Sequence, residues 1–219
     1  MRVLAFDCAG GQCAAALLVD GRVSGARQIM AERGHAQALV PLLADLVGEA
    51  GIGFGGIDRI AVTTGPGSFT GIRVALAAAH GLALALKVPI VGITVFEAIA
   101  AAAAWGISTS RLVVAVESRR AECFVQLFDK SGQPFGAAAM LAPSDFAAWA
   151  GTEPLSLAGD AAPRIAPYFP AETPILPLRQ VDAVILARLA AARQPGDPPT
   201  PFYFRAADAV PSRAMAAWT

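Results

Sequence analysis

Thr64-Gly65-Pro66-Gly67-Ser68-Phe69-Thr70-Gly71-Ile72-Arg73 joins an apolar, strand-like run, Arg59-Ile60-Ala61-Val62-Thr63, to a helix-like run that continues from Ile72 to Lys87 without proline. Gly65 and Gly67 permit positive φ or a close backbone approach, and Pro66 stiffens the turn between them. Ser68 and Thr70 are both N-cap candidates for the helix that follows. A glycine-rich strand-to-helix loop is a ready anion cradle, because the first amides of a helix point out of its N-terminus. It is not a Walker loop, since Ile72-Arg73 follow Gly71 where Lys and Ser or Thr are needed. Nor is it a dinucleotide fingerprint, because G-x-G-x-x-x-G is one residue too long. Spacing alone leaves a plain tight turn and an anion-binding loop both open.

Working outward, residues 2–8 and 13–19 alternate and cluster as strands, and Val19-Asp20-Gly21-Arg22 predicts a hairpin into a third strand over 22–29. A helix over 34–50, a strand over 58–64, the helix over 70–87, a strand over 88–92 and an Ala-rich helix over 94–105 complete the order β-β-β-α-β-α-β-α. A second, shorter version begins at Arg111, with strands over 112–117 and 123–128 and a turn at Asp129-Lys130-Ser131-Gly132. Short elements follow over 143–149 and 155–157, then a last helix over 181–193. Pro195, Pro198, Pro199 and Pro201 make 194–201 an extended linker. The expected division is a lobe over 1–106, a smaller lobe over 107–205 and a tail over 206–219.

The chain has 219 residues, 55% hydrophobic and 16% charged, with a formal net charge of zero. It can bury a large core, and the neutral balance argues against unaided nucleic-acid binding, for which a basic patch is expected. Arg111, Arg119 and Arg120 cluster locally, and Arg205 and Arg213 lie in the tail. Cys8, Cys13 and Cys123 lack C-x-x-C spacing and sit in apolar runs, so reduced, buried thiols are expected. No signal peptide and no uncharged apolar run approaching a membrane span of roughly 18 residues are found, and a cytoplasmic protein is expected. His35 and His80 have no partners at metal-ligand spacing, so no metal site is expected. Asp7 ends the first strand, where it can cap the next turn. Glu117 ends the matching strand of the second half, where Arg119 or Arg120 could pair with it. Asp160 is a cap candidate for a short helix.

The segment from Gly65 to Arg73 resembles the signature of the TsaB (YeaZ) family, an accessory subunit in making threonylcarbamoyladenosine in tRNA. Val3–Asp7, Gly34–Gln37, Val88–Ile93, Val114–Glu122 and Pro201–Arg205 fall in the family's order. The resemblance is dense over 1–129 and thin beyond. Cys8 stands where the family usually has Thr or Ser, and Glu117 where it has Asp. The resemblance implies an α/β, two-lobed fold of the actin/Hsp70/sugar-kinase (ribonuclease H-like) type with a reduced second lobe. It also implies a non-catalytic role: activating a TsaD-type catalytic subunit that modifies N6 of adenosine 37 in tRNAs reading ANN codons. A TsaE-type ATPase completes the assembly, and tRNA is met only through the complex. TsaD carries H-x-x-x-H after the strand matching Pro89–Gly92, and here Val95 and Ile99 occupy those places. No catalytic residue is assigned. The expected composite nucleotide or anion site is Asp7, Gly65, Gly67, Ser68 and Thr70, with ATP or ADP held at the joint interface and no cofactor of the chain's own.

The two long helices carry a further message. On the first, Ala36, Leu39, Val40, Leu42, Leu43, Leu46 and Val47 cover an arc of about 160°, wider than packing on one sheet requires. The second is apolar all round apart from Arg73 and His80, with Ala77, Gly81 and Ala85 in one row. These faces assign a partner interface to His35, Leu39, Leu42 and Leu46 with Arg73, Ala77, His80, Gly81 and Leu84. The sequence leaves open whether the chain pairs as a homodimer when alone. An ATP-dependent small-molecule kinase of the same superfamily is the rival, disfavoured by a small second lobe without a glycine-rich adenosine loop. A self-contained homodimeric binding module is the third reading.

Overall fold

Why the chain folds as two stacked sheets is visible in its first hairpin. The computed structural model describes residues 1–30, 34–103 and 109–204. β1 (Arg2–Asp7) and β2 (Gln12–Val19) are almost wholly buried, antiparallel runs. Alternation splits β2 between two layers: Ala14 and Ala16 pack with Ala183, whereas Cys13, Ala15 and Leu17 join the main core. β3 (Arg22–Met30) forms an exposed edge, and β4 (Arg59–Thr63) and β5 (Ile90–Ile93) add in parallel on the other side. The resulting order, β3-β2-β1-β4-β5, is the expected arrangement, with helices on both faces.

α1 (His35–Glu49) and α2 (Phe69–Leu86) pack together against this sheet, while α6 (Ala183–Ala192) packs on β1 and β2 from the side of Ala14 and Ala16. The sequence placed α6 in the second lobe; its buried Ala183, Leu186, Ala187 and Ala190 instead complete the first. The prolines that follow do not form a free linker. Phe202 N–H donates to the Thr64 carbonyl at 2.8 Å, and the Phe204 ring stacks on Phe124 at 5.0 Å. Residues 104–108, where the expected lobe boundary falls, and the tail lie outside the described residues, as does the end of the third helix.

The second sheet has the order β8-β7-β6-β9, built from β6 (Arg111–Glu117), β7 (Cys123–Asp129), β8 (Ala139–Leu141) and β9 (Leu155–Ala158). β6 alternates between two cores. Leu112, Val114 and Val116 face α3 (Val95–Ala103) and the first lobe, whereas Val113 and Ala115 face α4 (Phe146–Ala150) and α5 (Ala162–Ile165). α3 thus lies between the sheets. Thr94 and Glu97 start it with a reciprocal cap: the Glu97 carboxylate accepts from Thr94 N–H at 2.8 Å, and Glu97 N–H donates to Thr94 Oγ1 at 3.0 Å. Burial pushes the Glu97 carboxyl up, but Thr94 and Arg193 outweigh it and hold the group below its ordinary range.

α2 is the longest helix among the described residues. Its 18 residues average a hydropathy of 1.6, which by length and composition is enough to cross a membrane. Ile72, Ala75, Leu76 and Ala79 are nevertheless buried within the main core, and Arg73 and His80 interrupt the outer face.

Candidate functional site

The loop from Thr64 to Ser68 turns β4 into α2 beneath the end of β1. Gly65 and Gly67 have φ of 107° and 150°, which a side chain would resist. Ser68 is the N-cap, its Oγ accepting from Gly71 N–H at 3.2 Å, while Thr70 falls inside the helix. Ser68 N–H itself donates to the Ala9 carbonyl at 2.7 Å. Two amides that an anion cradle would offer are therefore turned inward, which weakens that expectation for the loop.

Asp7 is fully buried at the end of β1. Its Oδ1 accepts from Ala9 N–H at 2.9 Å and from the Thr63 hydroxyl, while Oδ2 has no partner among the described residues. Burial raises the carboxyl above its ordinary range against the opposing pull of Thr63, Ala9 and His35. A cavity of about 10 Å³, room for about one water, lies here between the lobes, lined by Asp7, Pro66, Val95, Ile99, Asp160 and Gln180 among others. Asp7 and the loop are brought together as expected, but Pro66 lines the cavity whereas Gly65, Gly67, Ser68 and Thr70 do not. Asp160 does not act as a cap. Its Oδ1 accepts from Glu117 N–H at 2.9 Å, fastening the end of β6, and burial raises its carboxyl.

The cavity does not fit a nucleotide. Pockets for drug-sized ligands run about 300–1,000 Å³, and the Gln180 side chain lies directly against Gly10. The strap carrying it is stitched to both lobes, by Gly159 N–H to the Leu178 carbonyl at 2.7 Å and Gln12 Nε2 to the Val181 carbonyl at 2.9 Å. Nothing in the amino-acid pattern marks this strap, residues 178–181, which has no regular periodicity. Val95 and Ile99 present apolar walls from one face of α3, and among the described residues no three His, Cys, Asp or Glu gather at metal-binding distance.

The interface residues divide sharply. Arg73, Ala77, His80, Gly81 and Leu84 all lie on one exposed face of α2, with Leu84 82% exposed. Arg73 stacks over Phe69 at 3.8 Å and donates to the Tyr203 hydroxyl at 3.0 Å, and His80 Nε2 meets the Pro199 carbonyl at 3.0 Å. His35, Leu39, Leu42 and Leu46, by contrast, are buried in the chain's own core. That corrects the assignment on α1: its wide arc covers both the sheet and α2, and its outer face mixes Ala36, Val40 and Ala44 with Gln37, Asp45 and Glu49. A role the sequence missed belongs to Arg164. It donates to the Arg120 and Glu122 carbonyls at 2.8 and 2.9 Å and pairs with Glu117 at 3.3 Å, the partner expected from Arg119 or Arg120.

Comparison with known proteins fits this geometry. A crystal structure from Pseudomonas aeruginosa, described as an uncharacterized protein with similarity to peptidase YEAZ, superposes with a TM-score of 0.80 at 30% identity, over 93% of this chain and 99% of that one. The family model for TsaD, tRNA N6-adenosine threonylcarbamoyltransferase, matches residues 26–196. The chain belongs to the TsaB/YeaZ family. YeaZ from Pseudomonas aeruginosa has a TM-score of 0.74 at 28% identity, over 87% of this chain and 92% of that one. The tRNA threonylcarbamoyladenosine biosynthesis protein TsaB of Escherichia coli K12 is 34% identical over 124 residues, 57% of this chain and 53% of that protein. The chain thus spans about half the length of the curated relatives it matches.

Proposed function

We propose that this TsaB-family chain is the non-catalytic subunit that binds a TsaD-type catalytic subunit and holds it active. The reaction is transfer of threonylcarbamoyl to N6 of adenosine 37 in tRNAs reading ANN codons. The observation that carries this reading is the exposed face of α2, where Ala77, Gly81 and Leu84 lie open on a helix whose opposite side is already packed. A long apolar helix face left in water marks a docking surface. α1 packs beside α2, so two helices from each subunit would meet. A second support is the cavity, where Val95 and Ile99 offer no ligand for a metal.

Such a subunit acts by differential affinity, binding the competent state of its partner more tightly than the incompetent one. ATP or ADP belongs at the joint interface rather than in this chain's cleft, and a TsaE-type ATPase completes the cytoplasmic assembly. tRNA is met through the complex, and the same α2 face pairs two copies when the chain is alone. A reconstituted reaction with the catalytic subunit, ATPase, threonylcarbamoyl donor and an ANN-decoding tRNA decides the matter. Modification is expected to require this chain, while the chain alone modifies nothing. Equal modification with the chain omitted, or phosphoryl transfer to a small acceptor by the chain alone, would overturn the assignment.

A further inference from the structure

The proposed activity makes no use of Cys8 and Cys13. The β1–β2 register pairs Phe6 with Ala15 and Asp7 with Ala14; one step further, it sets Cys8 opposite Cys13 across the connection Ala9-Gly10-Gly11. Their sulfurs are 3.1 Å apart in thiol–thiol hydrogen-bond contact, and both side chains are buried. A buried cysteine is ordinarily a small hydrophobe. Two sulfurs facing each other at the end of a hairpin are a different case, since a disulfide bond of about 2.05 Å requires only a modest further approach. The hydrogen bond also divides the pair. It holds the Cys13 thiol below the ordinary range, and together with burial it pushes the Cys8 thiol up. The thiolate is the form that attacks an oxidant. Both thiols are fully enclosed, and the partly exposed Gly10 and Gly11 of the connection mark the shortest way in from solvent. Cys123 supplies an internal contrast: it is buried against Arg164 Nε at 3.2 Å rather than against a second thiol.

We propose that Cys8 and Cys13 are a peroxide-sensitive dithiol that closes to a disulfide across the β1–β2 turn, beside Asp7. The Cys13 thiolate attacks one oxygen of hydrogen peroxide, the O–O bond breaks, and the departing hydroxide takes up a proton to leave as water. The Cys8 sulfur then attacks the sulfenic sulfur of Cys13. The S–S bond forms, the S–O bond breaks, and the hydroxyl leaves with the Cys8 proton as a second water. Two thiols and one peroxide give one disulfide and two waters. The bridge would lie directly under the glycine-rich loop, whose Ser68 N–H is bonded to the Ala9 carbonyl.

The test exposes the folded full chain to hydrogen peroxide, removes the oxidant with catalase, and unfolds the protein in N-ethylmaleimide. Accessible thiols should fall from the three of the reduced chain to one. Trypsin releases both cysteines on one peptide, Val3 to Arg22, which should be two hydrogens lighter and regain its mass on reduction. In Cys8→Ser the lighter peptide should vanish, leaving Cys13 as a sulfenic acid that dimedone traps. A peptide unchanged in mass, one that gains oxygen without losing hydrogen, or chains cross-linked to each other would each overturn the proposal. The wild-type measurement decides even if the variant folds poorly.

Discussion

At Asp7 the chain keeps a carboxyl group in a place where its charge is costly. One oxygen is shared by Ala9 N–H and the Thr63 hydroxyl, and the other meets no partner among the described residues. Desolvation outweighs those bonds, so the folded-state pKa stands above the ordinary 3.8. For an acid shifted upward, the stabilising contribution is fully present below the unfolded pKa. It is lost as pH rises through the folded one. Asp7→Asn keeps the accepting oxygen and removes the charge. It should therefore melt at or above the wild-type temperature at pH 7, with the difference shrinking as pH approaches 4. Asp7→Ala leaves Ala9 N–H and the Thr63 hydroxyl without their acceptor and should cost about 1–3 kcal/mol. Melting curves for the three proteins across that pH range check both statements. An Asn variant that is less stable at pH 7, by a margin that widens with pH, would mean that the carboxylate is charged and paired in the fold.

α2 shows how differently two glycines of one helix behave. Gly71 sits where its first turn crosses the end of β1, and a Cβ there would drive into the Cys8 carbonyl; at Gly81 a Cβ meets nothing within 4 Å. Gly71→Ala should therefore destabilise by at least the roughly 1–3 kcal/mol of overpacking. Gly81→Ala should stabilise the isolated chain by about 0.5–1 kcal/mol through lost backbone entropy. Urea unfolding of the pair reads the opposite signs directly, and two shifts of the same sign would show the helix to be seated differently. These contacts also mark what the sequence could reveal. β1, β2, β4 and the long helices were legible because their patterns are local: an unbroken apolar run, a Gly-Pro-Gly turn, a Ser cap. β8 was not, since Ala139, Met140 and Leu141 are all half-buried and show no alternation. The apolar arc of α1 was visible, but periodicity cannot say whether sheet, neighbouring helix or partner covers it. His35, Leu39, Leu42 and Leu46 were read as surface for that reason. The place of α6 was hidden likewise, since Ala183 meets Ala14 and Ala16 across a long separation in the chain.

For the whole molecule, the two lobes are not independent plates around an open cleft. α3 between the sheets, the strap through Gln180, and Phe204 against Phe96 and Phe124 lock them together. A nucleotide-driven hinge has no room in that arrangement, so a partner of the kind proposed would be engaged through the surface. The outer face of α2 is the surface best suited to it. Gly81→Arg places a long guanidinium in the row of Ala77, Gly81 and Ala85, at an exposed position with open space around it. In the monomer, at concentrations too low for two copies to pair, that side chain reaches water, so circular dichroism should be unchanged and melting should shift little. In a complex docked on this face the same charge is buried without a partner. That costs roughly 3–5 kcal/mol, or about two to four orders of magnitude in affinity. Titration of the TsaD-type subunit against wild type and variant should show that loss, with tRNA modification falling in step and recovering at high subunit concentration. A variant that unfolds alone would place the α2 face inside the chain. One that folds and binds as tightly as wild type would leave this face as ordinary alanine-rich surface, and the partner would have to dock elsewhere.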